Sequence, residues 1–493
     1  MHLLKFKNMS AIKSLNPQGL WTNFYALTQI PRPSGKKKEI GDYLESFGKQ
    51  LNLETLRDEI GNVLIRKPAT PGQEGRKAVI LQAHMDMVPQ KNSDKNHNFE
   101  SDPIETIIDG DWVKANGTTL GADNGIGLAA ALSILESNDI THPDLEVFVT
   151  VDEETGMHGA FGLQPNFLKG EILINMDSED EGELYVGCAG GLDAIAEFNY
   201  QEVEIPEGDI ALKISLTGLK GGHSGVDIHL QRANANKLMF RLLKQAVMDC
   251  EARLASINGG SLRNAIPREA FAVITIPQDA LDDMLELVAE FDVLYNTEFK
   301  NIENKIILSA EQVDLPAGLI PEEVQDDLIN SVIAAHDGVY RVIPELPSVV
   351  ETSGNLAIIK SDGSKITCIS LLRSSVESFK NELGSMFSSL FSMAGAKVTL
   401  TGSYPGWKPN LESPILNTMK QLYQDNYGKV PKILIIHAGL ECGILGTHYP
   451  EMDMISFGPT IRFPHSPDEK VHIDSVLKFW DYLLITLKNI PSK

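Results

Sequence analysis

The stretch Lys77–Val88, KAVILQAHMDMV, decides the fold. Its first half is a continuous apolar run without alternation, the pattern of a strand covered on both faces. Strands of that kind belong to parallel sheets flanked by helices. Its second half turns polar and places His84 and Asp86 where the strand ends. Two further runs share the texture, LEVFVTV (Leu145–Val151) and EILINM (Glu171–Met176). GADNGIGLAAALSILES (Gly121–Ser137) reads as a glycine-rich turn feeding a helix. Strands alternating with helices predict an α/β domain with a mostly parallel sheet.

From Gly187 to Thr401 the texture changes. Strands alternate polar and apolar, as in ALKISLTGL (Ala211–Leu219) and KITCISLL (Lys365–Leu372). Helices there are amphipathic, as in QRANANKLMFRLLKQAVM (Gln231–Met248) and VESFKNELGSMFSSLFSM (Val376–Met393). After Thr401 the α/β texture returns. The reading is a discontinuous catalytic domain, residues 1–186 and 402–493, interrupted by an inserted α+β domain, residues 187–401. The element order within the insert suggests two α+β halves in tandem.

The chain has 493 residues, enough for two or three domains, and 43 basic against 67 acidic residues give a net charge of −24. Such a balance argues against nucleic acid and anionic membrane surfaces as partners. No apolar run of membrane-spanning length is present, and the N-terminus lacks a signal-peptide core, so a cytoplasmic location is expected. Met9 is an alternative to Met1 as the natural start. Cys188, Cys250, Cys368 and Cys442 are dispersed, which argues against a disulfide framework or a cysteine zinc site.

Ligands of open parallel sheets bind outside the carboxyl ends of the strands. Several segments deliver acids and imidazoles there. His84 and Asp86 follow the first run, Asp123 opens the glycine-rich helix, and Glu153 and Glu154 follow VFVTV. Asp177 follows EILINM, and His465 lies in PTIRFPHSP (Pro459–Pro467). Each element alone has a bland reading as a wet loop or a satisfied core histidine. Together their shared chemistry is metal binding. Two imidazoles and three carboxylates suit two ions, each with one His, one terminal carboxylate and one shared carboxylate. Asp86, two residues past His84 on the same side of an extended chain, fits a carboxylate that holds the imidazole. Neighbouring side chains on an extended segment point opposite ways. One of Glu153 and Glu154 is then a ligand and the other a general base. A thiolate-free set of this kind suits zinc first, with manganese or cobalt as alternatives.

The inserted stretch adds His223 in LKGGHSGVDIH (Leu219–His229), Asn264 in GGSLRNAIPREA (Gly259–Ala270) and Arg373 in ISLLRSS (Ile369–Ser375). HAGLECG (His437–Gly443) adds His437 and Glu441 after another strand. An imidazole can polarise a scissile carbonyl, and an arginine can clamp a carboxylate.

These motifs, with IPRPSGKKKEI (Ile30–Ile40), NMDSEDEGELYVGCAGG (Asn175–Gly191) and FGPTIRFPHSPDEKVHI (Phe457–Ile473), resemble the M20 metallopeptidases over nearly the whole chain beyond Met9. The resemblance implies an α/β zinc-peptidase domain with an α+β lid. It implies His84, Asp123, Glu154, Asp177 and His465 as ligands of two metal ions, with Asp123 bridging. It also implies Glu153 as general base, Asp86 as the support of His84, and a cis peptide bond after Asp123. His223 matches the lid histidine, and Asn264, Arg373 and His437 are substrate-binding candidates. The length of the insert suggests a duplicated lid. The activity implied is hydrolysis of dipeptides, including those ending in histidine such as β-alanyl-histidine, by a homodimer. The alternatives are an amidase of N-acyl amino acids and a non-catalytic metal or peptide binder.

Overall fold

The computed structural model describes residues 11–344 and 346–493, so the choice between Met1 and Met9 lies outside the described residues. The chain divides into two compact units, each described here by itself.

The first unit comprises the described residues up to Gly187, then Pro409–Ile435 and Leu440–Lys493. Its main sheet has eight strands. In spatial order they are Glu54–Arg57, Val63–Lys67, Leu145–Thr150, Val79–His84, Ile172–Asn175, Asp453–Ser456, Glu183–Cys188 and Lys432–Ile436. The four central strands from Leu145–Thr150 to Asp453–Ser456 run parallel, while Glu54–Arg57 pairs antiparallel with Val63–Lys67, Val63–Lys67 with Leu145–Thr150, and Glu183–Cys188 with Asp453–Ser456. Val79–His84 is buried along its whole length, as its unbroken apolar run requires. The helix Ala122–Glu136 is buried almost all round, because its Gly and Ala residues let neighbouring backbone approach. A Cβ added at Gly127 would lie 2.7 Å from the Met176 carbonyl oxygen. No helix among the described residues is long and apolar enough to cross a membrane.

The second unit comprises Cys188–Lys408 and Ile436–Gly439. Its boundaries differ from the sequence reading at the far end, 408 rather than 401. The strand Lys397–Tyr404 runs past Thr401 to pair Tyr404 with Gly191. Cys188 and Trp407 then exchange backbone hydrogen bonds of 3.0 and 2.9 Å. Ile436 joins this unit because its carbonyl accepts from the Ala189 N–H at 3.0 Å.

Eight strands of the second unit form one continuous antiparallel path. Their order is Ile307–Val313, Asp209–Thr217, Ala270–Pro277, Arg253–Gly259, Leu346–Asp362, Lys365–Ser374, Gly190–Asn199 and Lys397–Tyr404. Gly338–Ile343 pairs off this path with Leu346–Asp362. Asp209–Val313 forms a β-α-β-β-α-β half whose strands lie in the spatial order fourth, first, third, second. The other half has the same order if Gly190–Asn199 is its first strand. The halves are therefore nested rather than in tandem. One is inserted between the first strand and first helix of the other. They join edge to edge where Asn258 and Gly259 pair with Lys360 and Ile359. The helices Ala235–Cys250, Leu281–Glu298, Glu322–Ala334 and Glu377–Met393 contribute with the strands to one apolar core.

Candidate active site

In the first unit the carboxyl ends of the parallel strands bring five of the expected residues together. His84 closes its strand, and its Nε2 lies 3.1 Å from Asp123 Oδ1 and 3.3 Å from Asp177 Oδ1. The His465 Nε2 lies 3.2 Å from the other Asp123 oxygen, Oδ2, and 3.0 Å from Glu154 Oε2. Asp123 thus stands between two imidazoles and offers each a different oxygen. The peptide bond after Asp123 is cis. His84 Nδ1 faces Asp86 Oδ1 at 3.4 Å, and Asp86 also accepts from the Ser34 hydroxyl at 2.7 Å and the Glu153 N–H at 3.1 Å. Asp86 is therefore held from three sides while it orients the imidazole.

The electrostatics are those of an acidic cluster awaiting positive charge. Burial alone would lower the His84 imidazole, but Asp177, Asp123 and Asp86 raise it well above the ordinary value. Hydrogen bonds donated to Asp123 and Glu154 push His465 up to about 11. Burial, with Asp123 and Glu154, pushes Asp177 up to about 6. Burial, with Asp177, Glu154 and Glu441, also raises Glu153 well above the carboxylate range. Glu154 Oε1 is buried without a hydrogen-bond partner among the described residues. His84, Asp123 and Glu154 place one ligand atom each within 4.8 Å of one another. Imidazole nitrogen and carboxylate oxygen, an unpartnered carboxylate oxygen among them, fit a divalent cation.

Beneath this layer runs a polar row of which sequence reasoning named only Glu441. Gln82 and Asn175 lie two residues before His84 and Asp177, on the same faces of their strands. The Asn175 amide donates to Gln82 Oε1 at 2.5 Å, and Ser456 Oγ donates to Asn175 Oδ1 at 2.5 Å. Gln82 Nε2 and Thr150 Oγ1 donate to Glu441 Oε2 at 2.6 and 2.7 Å. Glu441 is 0% exposed, and its other oxygen has no partner. The row ties four strand ends together below His84 and Asp177. Its only sequence trace is a polar residue inside each apolar run.

The second unit gathers the remaining candidates from both of its halves. His223 Nδ1 accepts from the Gly225 and Val226 N–H groups at 3.1 and 3.0 Å. That fixes the tautomer, so Nε2 carries the proton and is a donor. Burial and Arg373 lower His223 to about 4, so the ring is neutral near pH 7. Arg373, 4% exposed, donates to the Tyr404 hydroxyl at 3.0 Å and approaches Ser224 Oγ at 3.5 Å. It has no carboxylate partner among the described residues. A buried guanidinium without a counter-ion is a ready receptor for an anion. His437, placed by the sequence near the metal-binding strand ends, belongs instead to this unit. Its Nε2 lies 2.7 Å from Ser353 Oγ. Burial, Arg373 and His223 lower it to about 3. Gly225 permits this packing, since a Cβ there would lie 1.9 Å from the His437 carbonyl oxygen. Asn264 offers only its backbone within the unit, its carbonyl accepting from the Ser224 N–H at 2.8 Å, and its side chain is exposed.

Comparison with known proteins shows the family of the chain. The chain is 46% identical over 485 residues to the cytosol non-specific dipeptidase of Escherichia coli (strain K12), covering 98% of this chain and 100% of that protein. The solved structure of aminoacylhistidine dipeptidase from Vibrio alginolyticus superimposes with a TM-score of 0.91 at 47% identity, covering 98% of each chain. A tripeptidase from Staphylococcus aureus shares the fold at a TM-score of 0.55 and 17% identity, over 96% of this chain and 98% of that one. The family model described as Peptidase family M20/M25/M40 matches residues 80–489, a span that runs from the strand carrying His84 to the final helix and takes in His465 on the way, and the chain belongs to that family.

Proposed function

We propose that this chain is a metallo-dipeptidase that cleaves the peptide bond of unblocked dipeptides, with histidine-ended dipeptides such as β-alanyl-histidine among its substrates. M20 metallopeptidases use divalent metal ions. The observation that carries the reading is Asp123, whose two oxygens face two different imidazoles. That arrangement supports two ions, zinc first, one held by His84, Asp123 and Asp177 and the other by His465, Asp123 and Glu154. Bound ions supply Lewis-acid polarisation of the scissile carbonyl and acidify the attacking water.

The chain's own residues do the rest. Asp86 holds His84 in one orientation. Glu153, buried beside the cluster, takes the proton of the attacking water and delivers it to the leaving amine. His223, fixed as the Nε2–H tautomer, donates to the oxygen that gains charge. Arg373, with Asn264 and His437, receives the substrate's terminal carboxylate. The relatives support the substrate class, one being a non-specific dipeptidase and the other an aminoacylhistidine dipeptidase by name. The Escherichia coli relative is named as a cytosolic protein, which supports the same compartment for this chain.

The test is turnover of β-alanyl-histidine and Leu-Gly by chelator-stripped protein, before and after adding zinc, manganese or cobalt. Metal-restored cleavage is expected, and the ratio of the two rates ranks histidine preference. Cleavage of N-acyl amino acids in place of both dipeptides would make the enzyme an amidase. Metal and peptide binding without turnover would make it a binding protein.

A further inference from the structure

Glu469 lies four residues after His465 in the same loop and is 2% exposed. Both carboxylate oxygens are fully used, and all their partners are backbone. Oε2 accepts from the N–H groups of Leu120 and Gly121 at 2.7 and 3.0 Å. Oε1 accepts from those of Ala122 and Asp123 at 2.7 and 3.2 Å. These groups lie at the start of the Ala122–Glu136 segment, just before a kink where Asp123 and Asn124 depart from helical φ and ψ, and Gly121 has no side chain with which to cap them. Arg32, also 2% exposed, grips the same segment by donating Nη2 to the Gly121 carbonyl at 2.5 Å. Its Nη1 reaches the carbonyls of Met85 and Asp86 at 3.0 Å each. Gly121 has φ of 69°, and a Cβ there would lie 2.6 Å from Arg32 Nη2. The segment that presents Asp123 is thus held between a buried carboxylate and a buried guanidinium.

An acid at a helix N-terminus is commonly just a cap. Here the capping loop also carries His465, whose Nε2 faces Asp123 Oδ2. One loop therefore fixes both the backbone and the side chain of Asp123.

We propose that Glu469 is a positioning residue that sets where Asp123 stands between His84 and His465, and thereby how tightly the centre holds its cations. The proposal rests on the reading of Asp123 as the shared ligand. Glu469 touches neither imidazole and acts only through the Asp123 segment.

The test compares full-length wild type with E469Q, E469D and D123N. Zinc affinity is read by competition with a chromogenic chelator, beside kcat and KM for Leu-Gly and the thermal midpoint. In E469Q the amide oxygen keeps two N–H partners while the amide nitrogen opposes the other two, donor against donor. Zinc affinity is expected to fall about 10- to 100-fold, the usual cost of losing a residue that orients a ligand. The kcat falls in parallel, and KM stays within about threefold of wild type because no substrate contact is removed. E469D, which keeps the charge, lies between the two. A residue that only caps the helix would lower the thermal midpoint of E469Q and leave zinc affinity and kcat at the wild-type values. That result overturns the proposal. If E469Q does not fold, E469D decides it, and wild-type zinc affinity in E469D overturns it. D123N separates the two readings. Full zinc affinity in D123N removes Asp123 as the shared ligand. Loss of zinc in D123N with retention in E469Q removes only the role of Glu469.

Discussion

Glu441 gives a sharp test of the electrostatics in the metal-free protein. Its carboxyl is wholly buried, with two donors on one oxygen and none on the other. Burial, reinforced by Asp177 and Asp86, pushes it up to about 8, against an ordinary value of 4.5. Between those values the folded chain holds a proton that the unfolded chain has released, so stability falls as pH rises through the window. One such proton is worth about 1.4 kcal/mol per pH unit. From pH 5 to pH 7 the loss comes to about 2–3 kcal/mol. In E441Q the amide oxygen accepts from Gln82 and Thr150 as before, the amide nitrogen takes the place of the unpartnered oxygen, and nothing titrates. E441Q is therefore expected to gain about 2–3 kcal/mol on the wild type over that interval. The assay is urea unfolding of both proteins at pH 5, 6 and 7 in excess chelator. The other acids of the cluster titrate in both proteins, and because Glu441 also helps raise Glu153, the difference reads Glu441 together with its effect on that neighbour. A difference that stays flat with pH, or that grows toward acid, refutes the reasoning.

Three further outcomes are expected. E153Q should lose about 10²- to 10⁴-fold in kcat, the worth of a positioned base, with metal content by elemental analysis unchanged; loss of metal would make Glu153 a ligand. R373M should raise KM for Leu-Gly about 10- to 100-fold, the range of a charge-assisted hydrogen bond, and leave the hydrolysis of Leu-Gly amide, which lacks the carboxylate, nearly untouched. Equal losses on both substrates would remove Arg373 from carboxylate binding. His437 refuses a proton until about pH 3, whereas the unfolded chain takes it near the ordinary 6.5. Acidification from pH 6.5 to pH 4 should thus destabilise the wild type by up to about 1.4 kcal/mol per pH unit relative to H437Q. Parallel pH profiles for the two proteins would show that His437 titrates normally.

The sequence by itself determined which residues are delivered to the metal-binding edge. Apolar runs such as Ala78–Leu81 suit strands covered on both faces, and a polar residue closing such a strand stands at the ligand-binding end of a parallel sheet. His84, Asp86, Asp123, Asp177, His465 and the pair Glu153 and Glu154 were legible on that ground, whereas the choice of Glu154 over Glu153 as a ligand came only from the resemblance that the surrounding motifs carry. Only the tertiary structure decided the pairings, with Asp123 between two imidazoles, and the nesting of the two halves of the insert. Gly190–Asn199 looks like any alternating strand until its partner Lys365–Ser374 is known. Glu469 was mute in sequence, and Arg373 stood there only as one substrate-binding candidate among several. Glu469 binds backbone N–H groups nearly 350 positions away, and every residue but proline carries such a group, so no residue type announces the partner. Arg373 resembles any surface arginine until the fold buries it without a carboxylate partner among the described residues, which leaves its charge needing an anion. Local pattern reports which face of a strand or helix is covered, whereas hydrogen bonds and charge balance across hundreds of residues exist only once the chain has folded.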